Sequence, residues 1–433
     1  MSEKFKLGLT RNRLFEFENC VSFLGRIKED FDAEKCHKAF RTLLLKEPIL
    51  SCGIELCENG DAYLVADVKE PSLDFFQGDE QSFVENMKVN GLDFCESLFS
   101  FVVLNNRTFA VFAHTAVADV RSLMYLVDEF MNIYRNEIAS VVPSDVIALS
   151  EISQLPSKAF SVVAEKLSAD LEIGWQKKTK TFTYDDFKNA RDKYLSLREQ
   201  QGSISFEFDE SEFQHIKGFA SDRGIDASSV VALAFYENLK KTLGGRRKYR
   251  KLNVQVNERV FFDEGHKMQV GAYNGVITVA KTKNKKISDT FENKAEVFHG
   301  EIYKRFTSVH AAFYNEILFM KLPASFVDSQ YMYCAGLFRH KFSKKLATVY
   351  GCANEVAGEF CSYNLNQKKW RNIASFDEVV LSEPLKMRST TMISLVEKGD
   401  GATIRFDYKK SKISDETARK LVENVVELLK KIK

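Results

Sequence analysis

The sequence predicts an α/β protein made of two similarly built lobes, each with a mixed sheet. Three observations carry that reading. The chain has 433 residues, more than one ordinary core accommodates, which favours two or three domains. The order strand, helix, strands, strand, helix runs through the first half and starts again after residue 200. Neither half carries a G-x-G-x-x-G turn or a Walker A lysine loop, so the repeat is not a nucleotide-binding unit. The division expected from this is 1–180 and 181–433.

In the first lobe, Val21 to Ile27 alternates apolar and polar residues as a half-buried strand does. Asp32 stands where an N-cap belongs, and Cys36, Ala39, Phe40, Leu43 and Leu44 repeat at helical spacing behind it. Pro48 ends that helix by disfavouring α geometry at Glu47. Leu50 to Leu56, Ala62 to Val68, Leu98 to Leu104 and the wholly apolar-looking Thr108 to His114 read as strands. A helix follows from Ser122, with Leu123, Leu126, Val127, Phe130, Ile133 and Tyr134 on one face. Residues 140–200 read as a polar, largely helical connection broken at Pro143 and Pro156.

The second lobe opens with the alternating strand Ser203 to Phe208 and a helix over Asp209 to Ser221. Asp226 is placed to cap the apolar helix Val230 to Leu243, which Gly244-Gly245 closes. Lys251 to Val256, Gly271 to Val279, Leu346 to Gly351 and Glu378 to Leu381 read as strands, and Ile287 to Phe319 as mostly helix. Thr391 to Glu397 and Ala402 to Asp407 form a hairpin around the glycines of Lys398 to Gly401. Asp415 to Ile432 is a closing amphipathic helix.

Composition narrows the function classes. Sixty-two Lys and Arg nearly balance 60 Asp and Glu, so no global field directs the chain to nucleic acid. The eight cysteines form no Cys-x-x-Cys pair, and Cys36-His37 lacks partners at zinc-ligand spacing, so no metal site is expected. They read as reduced, mostly buried thiols of a cytoplasmic protein. No apolar run reaches the ~20 residues of a membrane span, and the first residues lack the apolar core of a signal peptide. Thirty-six phenylalanines read first as core.

The strand end His114-Thr115-Ala116-Val117-Ala118-Asp119-Val120-Arg121-Ser122 resembles the H-H-x-x-x-D-G signature of the condensation-domain superfamily. That superfamily includes chloramphenicol acetyltransferase, carnitine acyltransferases and peptide-synthetase condensation domains. The first His, the Asp and the following Ser match by position; Thr115 replaces the second His and Val120 the Gly. The resemblance extends in order along nearly the whole chain. Asn257-Glu258-Arg259 and then Gly271 to Asn274 are similar to the family's N-x-R and G-N pair. Tyr350 to Val356 falls where the family has a strand crossing between lobes, and 391–432 is similar to its closing hairpin and helix.

The resemblance implies a CoA-dependent-acyltransferase-like fold, its lobes in a V with a tunnel between them. It implies a thioester acyl donor, on CoA or on the phosphopantetheine of an acyl carrier protein, and a small alcohol or amine acceptor. No tightly bound cofactor is implied. In the family the second histidine takes the acceptor's proton, and the Asp pairs with an Arg to hold the loop; Arg259 is the expected partner of Asp119. A threonine hydroxyl is no proton sink near neutral pH. Catalysis is therefore expected to be impaired, or else the protein is a non-catalytic ligand- or carrier-binding module on the same fold.

The candidate site is thus His114, Thr115 and Asp119, framed by Asn257, Arg259, Gly271 and Asn274. His114 is expected to pack inside, serving as base only if a bulge turned it into the tunnel. The basic runs Gly244 to Lys251 and Lys281 to Lys286 are read as solvated loops before they are read as contacts for CoA phosphates or an acidic carrier protein, and His310 as packing or surface.

Overall fold

The computed structural model describes residues 3–66, 71–146, 154–155, 162–176, 180–244, 247–262, 269–280, 290–308, 313–366 and 369–432. Lys281 to Lys286, His310 and part of the Gly244 to Lys251 turn lie outside the described residues.

Two large mixed sheets organise the chain. The five-stranded sheet runs in the order Glu378–Ser382, Cys20–Arg26, Thr108–His114, Phe99–Leu104, Leu73–Phe76, with only the last pair parallel. The six-stranded sheet runs Asn274–Ala280, Lys251–Asn257, Gly358–Leu365, Thr391–Lys398, Gly401–Lys409, Gln201–Phe208. Its strand Gly358–Leu365 is parallel to both neighbours. A small sheet of Lys4–Lys6, Ala62–Val65 and Gly53–Leu56 lies apart from both.

The helix Val120–Asn136 shows why the first core closes. Leu123, Leu126, Val127, Phe130 and Ile133 are buried on its inner face, and each fully buried side chain of this kind stabilises by about 1.5–3 kcal/mol. Phe130 stacks on Phe109 of the underlying strand with ring centroids 4.1 Å apart. Phenylalanine is the main filler of this core: Phe15, Phe17, Phe23, Phe94, Phe101 and Phe109 are all fully buried. A second cluster packs helices Glu210–Asp222, Ala227–Thr242 and Asp415–Lys431 over the six-stranded sheet.

The first core is not confined to residues 1–180. Phe187 and Ala190 of helix Tyr184–Ser196 belong to it, as do Phe326, Val327 and Tyr331 of helix Ala324–Cys334. Later segments add Leu346, Tyr363, Trp370, Leu381 and Met392, so this core draws on residues from both sides of 180/181.

Several elements differ from the sequence reading. The strand that crosses to the first sheet is Glu378–Ser382, paired Glu378 with Arg26 through Ser382 with Ser22. Tyr350 to Val356 is not that strand; it is a bend from which Val356 makes one isolated bridge to Ser389. Leu346 to Gly351, read as a strand, is helical: Leu346–Tyr350 continues the helix Lys341–Lys345 and buries Leu346 and Ala347. A short apolar run has no period of its own to separate strand from helix, and here the preceding turn decided. Helix Glu80–Asn90 buries no residue fully, which is why its pattern was invisible. The expected strand from Gly271 starts only at Asn274, because Gly271 to Tyr273 serves another purpose.

Candidate active site

The strand Thr108–His114 ends in regular register, His114 opposite Cys20. The chain then turns tightly, with the N–H groups of Val117 and Ala118 donating to the His114 carbonyl. Asp119 caps the helix that follows, accepting from the Ser122 N–H at 2.8 Å and the Ser122 hydroxyl at 3.0 Å. The same carboxylate accepts from Arg259 Nη1 at 2.6 Å, Arg259 Nη2 at 3.1 Å and the Tyr273 N–H at 3.0 Å. The expected ion pair is therefore present, and it joins residues 140 positions apart. Burial alone would push the Asp119 carboxyl up; the Arg259 charge and hydrogen bonds outweigh it and hold it below the usual carboxylate range.

Arg259 is satisfied on every side. Its Nη2 also donates to the Ser122 hydroxyl and the Gly271 carbonyl, both at 2.8 Å, and its guanidinium lies 4.8 Å from the Tyr273 ring centroid. Asn257 Oδ1 accepts from the Arg259 N–H, which starts the short 3₁₀ turn Glu258–Phe261. Gly271 is where the second half of the chain approaches this loop: its N–H donates to the Ser122 hydroxyl oxygen at 3.0 Å, and its carbonyl lies 2.7 Å from that oxygen. A Cβ on Gly271 would sit 2.3 Å from the Tyr273 ring, so only glycine fits there. Asn274, opposite Asn257 in the sheet, accepts from Arg13 through its side chain and, at 2.8 Å, through its carbonyl.

His114 has a different fate. Its ring is wholly buried, edge-on to Phe94 at 6.2 Å, and its Nδ1 accepts from the Ala116 N–H. Burial, with the Arg191 charge in second place, lowers its pKa to about 3. It is a neutral packing residue that cannot reach an acceptor. No bulge rotates it, since the register with Cys20–Arg26 is unbroken.

Thr115 is 3% exposed. Its N–H donates to the Asn19 carbonyl at 2.8 Å, which ties the turn to the segment Arg11 to Asn19. Its hydroxyl donates to Glu16 Oε2 at 3.2 Å. Glu16 in turn lies 3.5 Å from Lys386 Nζ. Glu16 and Lys386 line a small cavity of about 60 Å³ together with Glu18, Tyr331, Cys352 and Arg388. Lys386 and Arg388 follow directly on the crossing strand Glu378–Ser382, so that strand's exit builds one wall.

The sequence reading passed over this wall. Arg11, Arg13, Glu16 and Glu18 stand between buried Leu14, Phe15 and Phe17, and that interleaving of charge with large apolar residues was the available signal. Such charges need partners inside. Arg11 has Asp328 at 2.7 Å, and Glu18 accepts from the Tyr194 hydroxyl. Burial pushes Glu18 up to about 7, against the opposing charges of Lys409 and Arg198. Arg388 binds Glu359 at 2.7 Å; burial would raise the Glu359 carboxyl, but Arg388 and Lys386 bring it down to about 2.

No family model and no curated protein sequence matches this chain. Solved structures do. The cyclization-docking bidomain of the EpoB nonribosomal peptide synthetase from Sorangium cellulosum superposes with a TM-score of 0.65 at 12% identity, over 99% of this chain and 85% of that one. The condensation domain of the Monacolin K polyketide synthase MokA gives 0.63 at 12% identity, over 99% and 97%. The epimerization domain from the third module of tyrocidine synthetase B gives 0.62 at 12% identity, again over 99% and 97%. The chain has the condensation-domain fold, of the CoA-acyltransferase-like class. No helix among the described residues is long and apolar enough to cross a membrane.

Proposed function

We propose that this protein handles acyl groups carried as thioesters, on CoA or on a carrier-protein phosphopantetheine, and transfers them to a small alcohol or amine. The observation that carries the reading is the cavity at the motif's strand end: the fold's usual reacting position, Thr115, is hydrogen-bonded to a carboxylate that lines it. A frame as fully bonded as Asp119, Ser122, Arg259 and Gly271 holds that turn in place, and positioning alone supplies a large share of catalysis in a bimolecular transfer. A carrier protein as donor is supported by the similar structures, which are parts of peptide and polyketide synthetases. The protein is expected to work in the cytoplasm, without a resident cofactor.

A second reading, a binding module that holds a thioester or carrier without turnover, draws on His114. The one histidine the motif retains is buried and neutral. Thermal shift with non-hydrolysable acyl-CoA and acyl-pantetheine analogues, followed by assay of released thiol, separates the two. Binding with thiol release supports transfer. Binding without it supports the module, and a melting temperature unmoved by every donor contradicts both.

A further inference from the structure

We propose that Glu16 is the general base of this site: its carboxylate, held against the Thr115 hydroxyl and Lys386 at the cavity wall, takes the acceptor's proton. The proposal rests on the acyl-transfer reading above and names the group that replaces the missing histidine.

Four candidates surround the strand end, and geometry removes three. His114 is walled in behind Phe94 with one ring nitrogen committed to the Ala116 N–H. Glu258 is fully buried and lines none of the described cavities; burial and the neighbouring Glu316 hold its proton on. Glu18 reaches the cavity, but its carboxylate is bonded to the Tyr194 hydroxyl and the Thr115 hydroxyl turns to Glu16 instead. Glu16 alone both lines the cavity and touches the residue standing in the reacting position. A general base must lie within hydrogen-bond reach of the proton it removes, and the Thr115 contact shows that Oε2 faces that position.

The carboxylate also has capacity to spare. It offers about four lone-pair sites, of which Thr115 occupies one and the 3.5 Å approach of Lys386 faces another. The two contacts fix the group without saturating it. Its backbone is fixed too: the Glu16 N–H donates to the Arg13 carbonyl, and Arg13 is anchored on Asn274. The base is thus carried by the segment Arg11 to Asn19, which the Thr115 N–H to Asn19 bond brings to the strand end.

The step balances as follows. The acceptor's O–H or N–H gives its proton to Glu16 while its lone pair forms the new bond to the thioester carbonyl carbon. The tetrahedral adduct collapses, the C–S bond breaks with its electron pair on sulfur, and the thiolate recovers the proton from Glu16. One ester or amide and one thiol leave, and the carboxylate is restored. Lys386, 3.5 Å from Oε1, faces the carboxylate charge that is present before the proton is taken and again after it is returned.

The test measures thiol release by the full chain from acetyl-, octanoyl- and palmitoyl-CoA and from an acyl-pantetheine thioester, with water and hydroxylamine as acceptors. Removing a general base costs about 10²–10⁴-fold, so Glu16→Ala and Glu16→Gln should each lose turnover in that range. Added formate should restore Glu16→Ala in proportion to its concentration and leave Glu16→Gln unchanged, which a structural role for Glu16 would not produce. Thr115→Val, which removes one hydrogen bond, should lower turnover only about fivefold. Should Glu16→Ala fail to fold, the isosteric Glu16→Gln carries the decision through its loss of turnover and a retained thermal shift with a non-hydrolysable acyl-CoA analogue. Wild-type turnover that both Glu16 variants keep, or that Glu18→Gln abolishes instead, overturns the proposal and leaves the acyl-transfer reading standing. Wild type that binds the analogue but releases no thiol overturns the proposal in favour of the binding module. Neither binding nor release overturns both.

Discussion

The two sides of Thr115 are built on opposite principles. On one side, Asp119, Ser122, Arg259 and Gly271 form a closed network in which Asp119 accepts from three residues and Arg259 donates to Asp119, the Ser122 hydroxyl and two backbone carbonyls. On the other, Glu16 has a single hydrogen bond to Thr115, a longer approach from Lys386, and open space beyond. A saturated network fixes a shape and has nothing left to give a ligand. An unsaturated carboxylate at a cavity wall can still accept a proton. Under the proposed acyl transfer the two sides divide the work: the side that keeps the motif's Asp and Ser is scaffold, and the chemistry lies with Glu16 and its segment.

The largest effect that tests this contrast is on the scaffold side. Arg259→Ala leaves Asp119 buried without its counter-charge, which typically costs about 3–5 kcal/mol. Urea denaturation should show that loss, whereas Glu16→Gln, which keeps a hydrogen-bonding group of the same shape against Thr115, should change stability far less. Equal losses from the two would erase the distinction drawn here.

The cavity side should show its own signature in pH. Glu18 holds its proton in the fold up to about pH 7, while the ordinary value for the unfolded chain is 4.5. A carboxyl raised in this way stabilises most below the unfolded value, and that contribution is lost as pH rises through about 7. The difference amounts to about 3 kcal/mol. The charges that face it are Lys409 and Arg198, which favour ionisation, and Glu16, which opposes it. Glu18→Gln should therefore flatten the fall in stability between pH 4.5 and about pH 7. An unchanged slope would remove Glu18 from the account.

A smaller effect sharpens the boundary between the two sides. Thr115→Val deletes the hydroxyl that bridges frame and cavity, and one such hydrogen bond is worth about 0.5–1.5 kcal/mol. The variant should melt slightly lower and keep its fold. A loss as large as that of Arg259→Ala would place Thr115 within the scaffold instead.

How far the sequence disclosed this site follows from how each residue is held. Asp119 was legible from its place in the run that resembles the H-H-x-x-x-D-G signature, and Arg259 from the Asn-x-Arg run that the same resemblance pairs with that Asp; the structure holds the two together. The hairpin Thr391–Lys398 with Gly401–Lys409 was legible from alternation and its glycines. Glu16 was not. It has no periodic neighbours, lies 99 residues from Thr115, and is held by long-range bonds of its segment, Arg13 to Asn274 and the Thr115 N–H to Asn19, that no local pattern announces. The crossing strand was misplaced for a related reason: both Tyr350 to Val356 and Glu378–Ser382 are short and follow apolar runs, and only pairing with Cys20–Arg26 tells them apart.

The most direct test of the central claim is a crystal structure with a non-hydrolysable acyl-CoA or acyl-pantetheine analogue bound. The account predicts the acyl carbonyl in the cavity beside Thr115, within hydrogen-bond reach of an incoming acceptor on Glu16, with the Asp119–Arg259 pair unmoved. An analogue bound elsewhere, or bound here with Glu16 turned away and His114 or Glu18 facing the carbonyl, would contradict it.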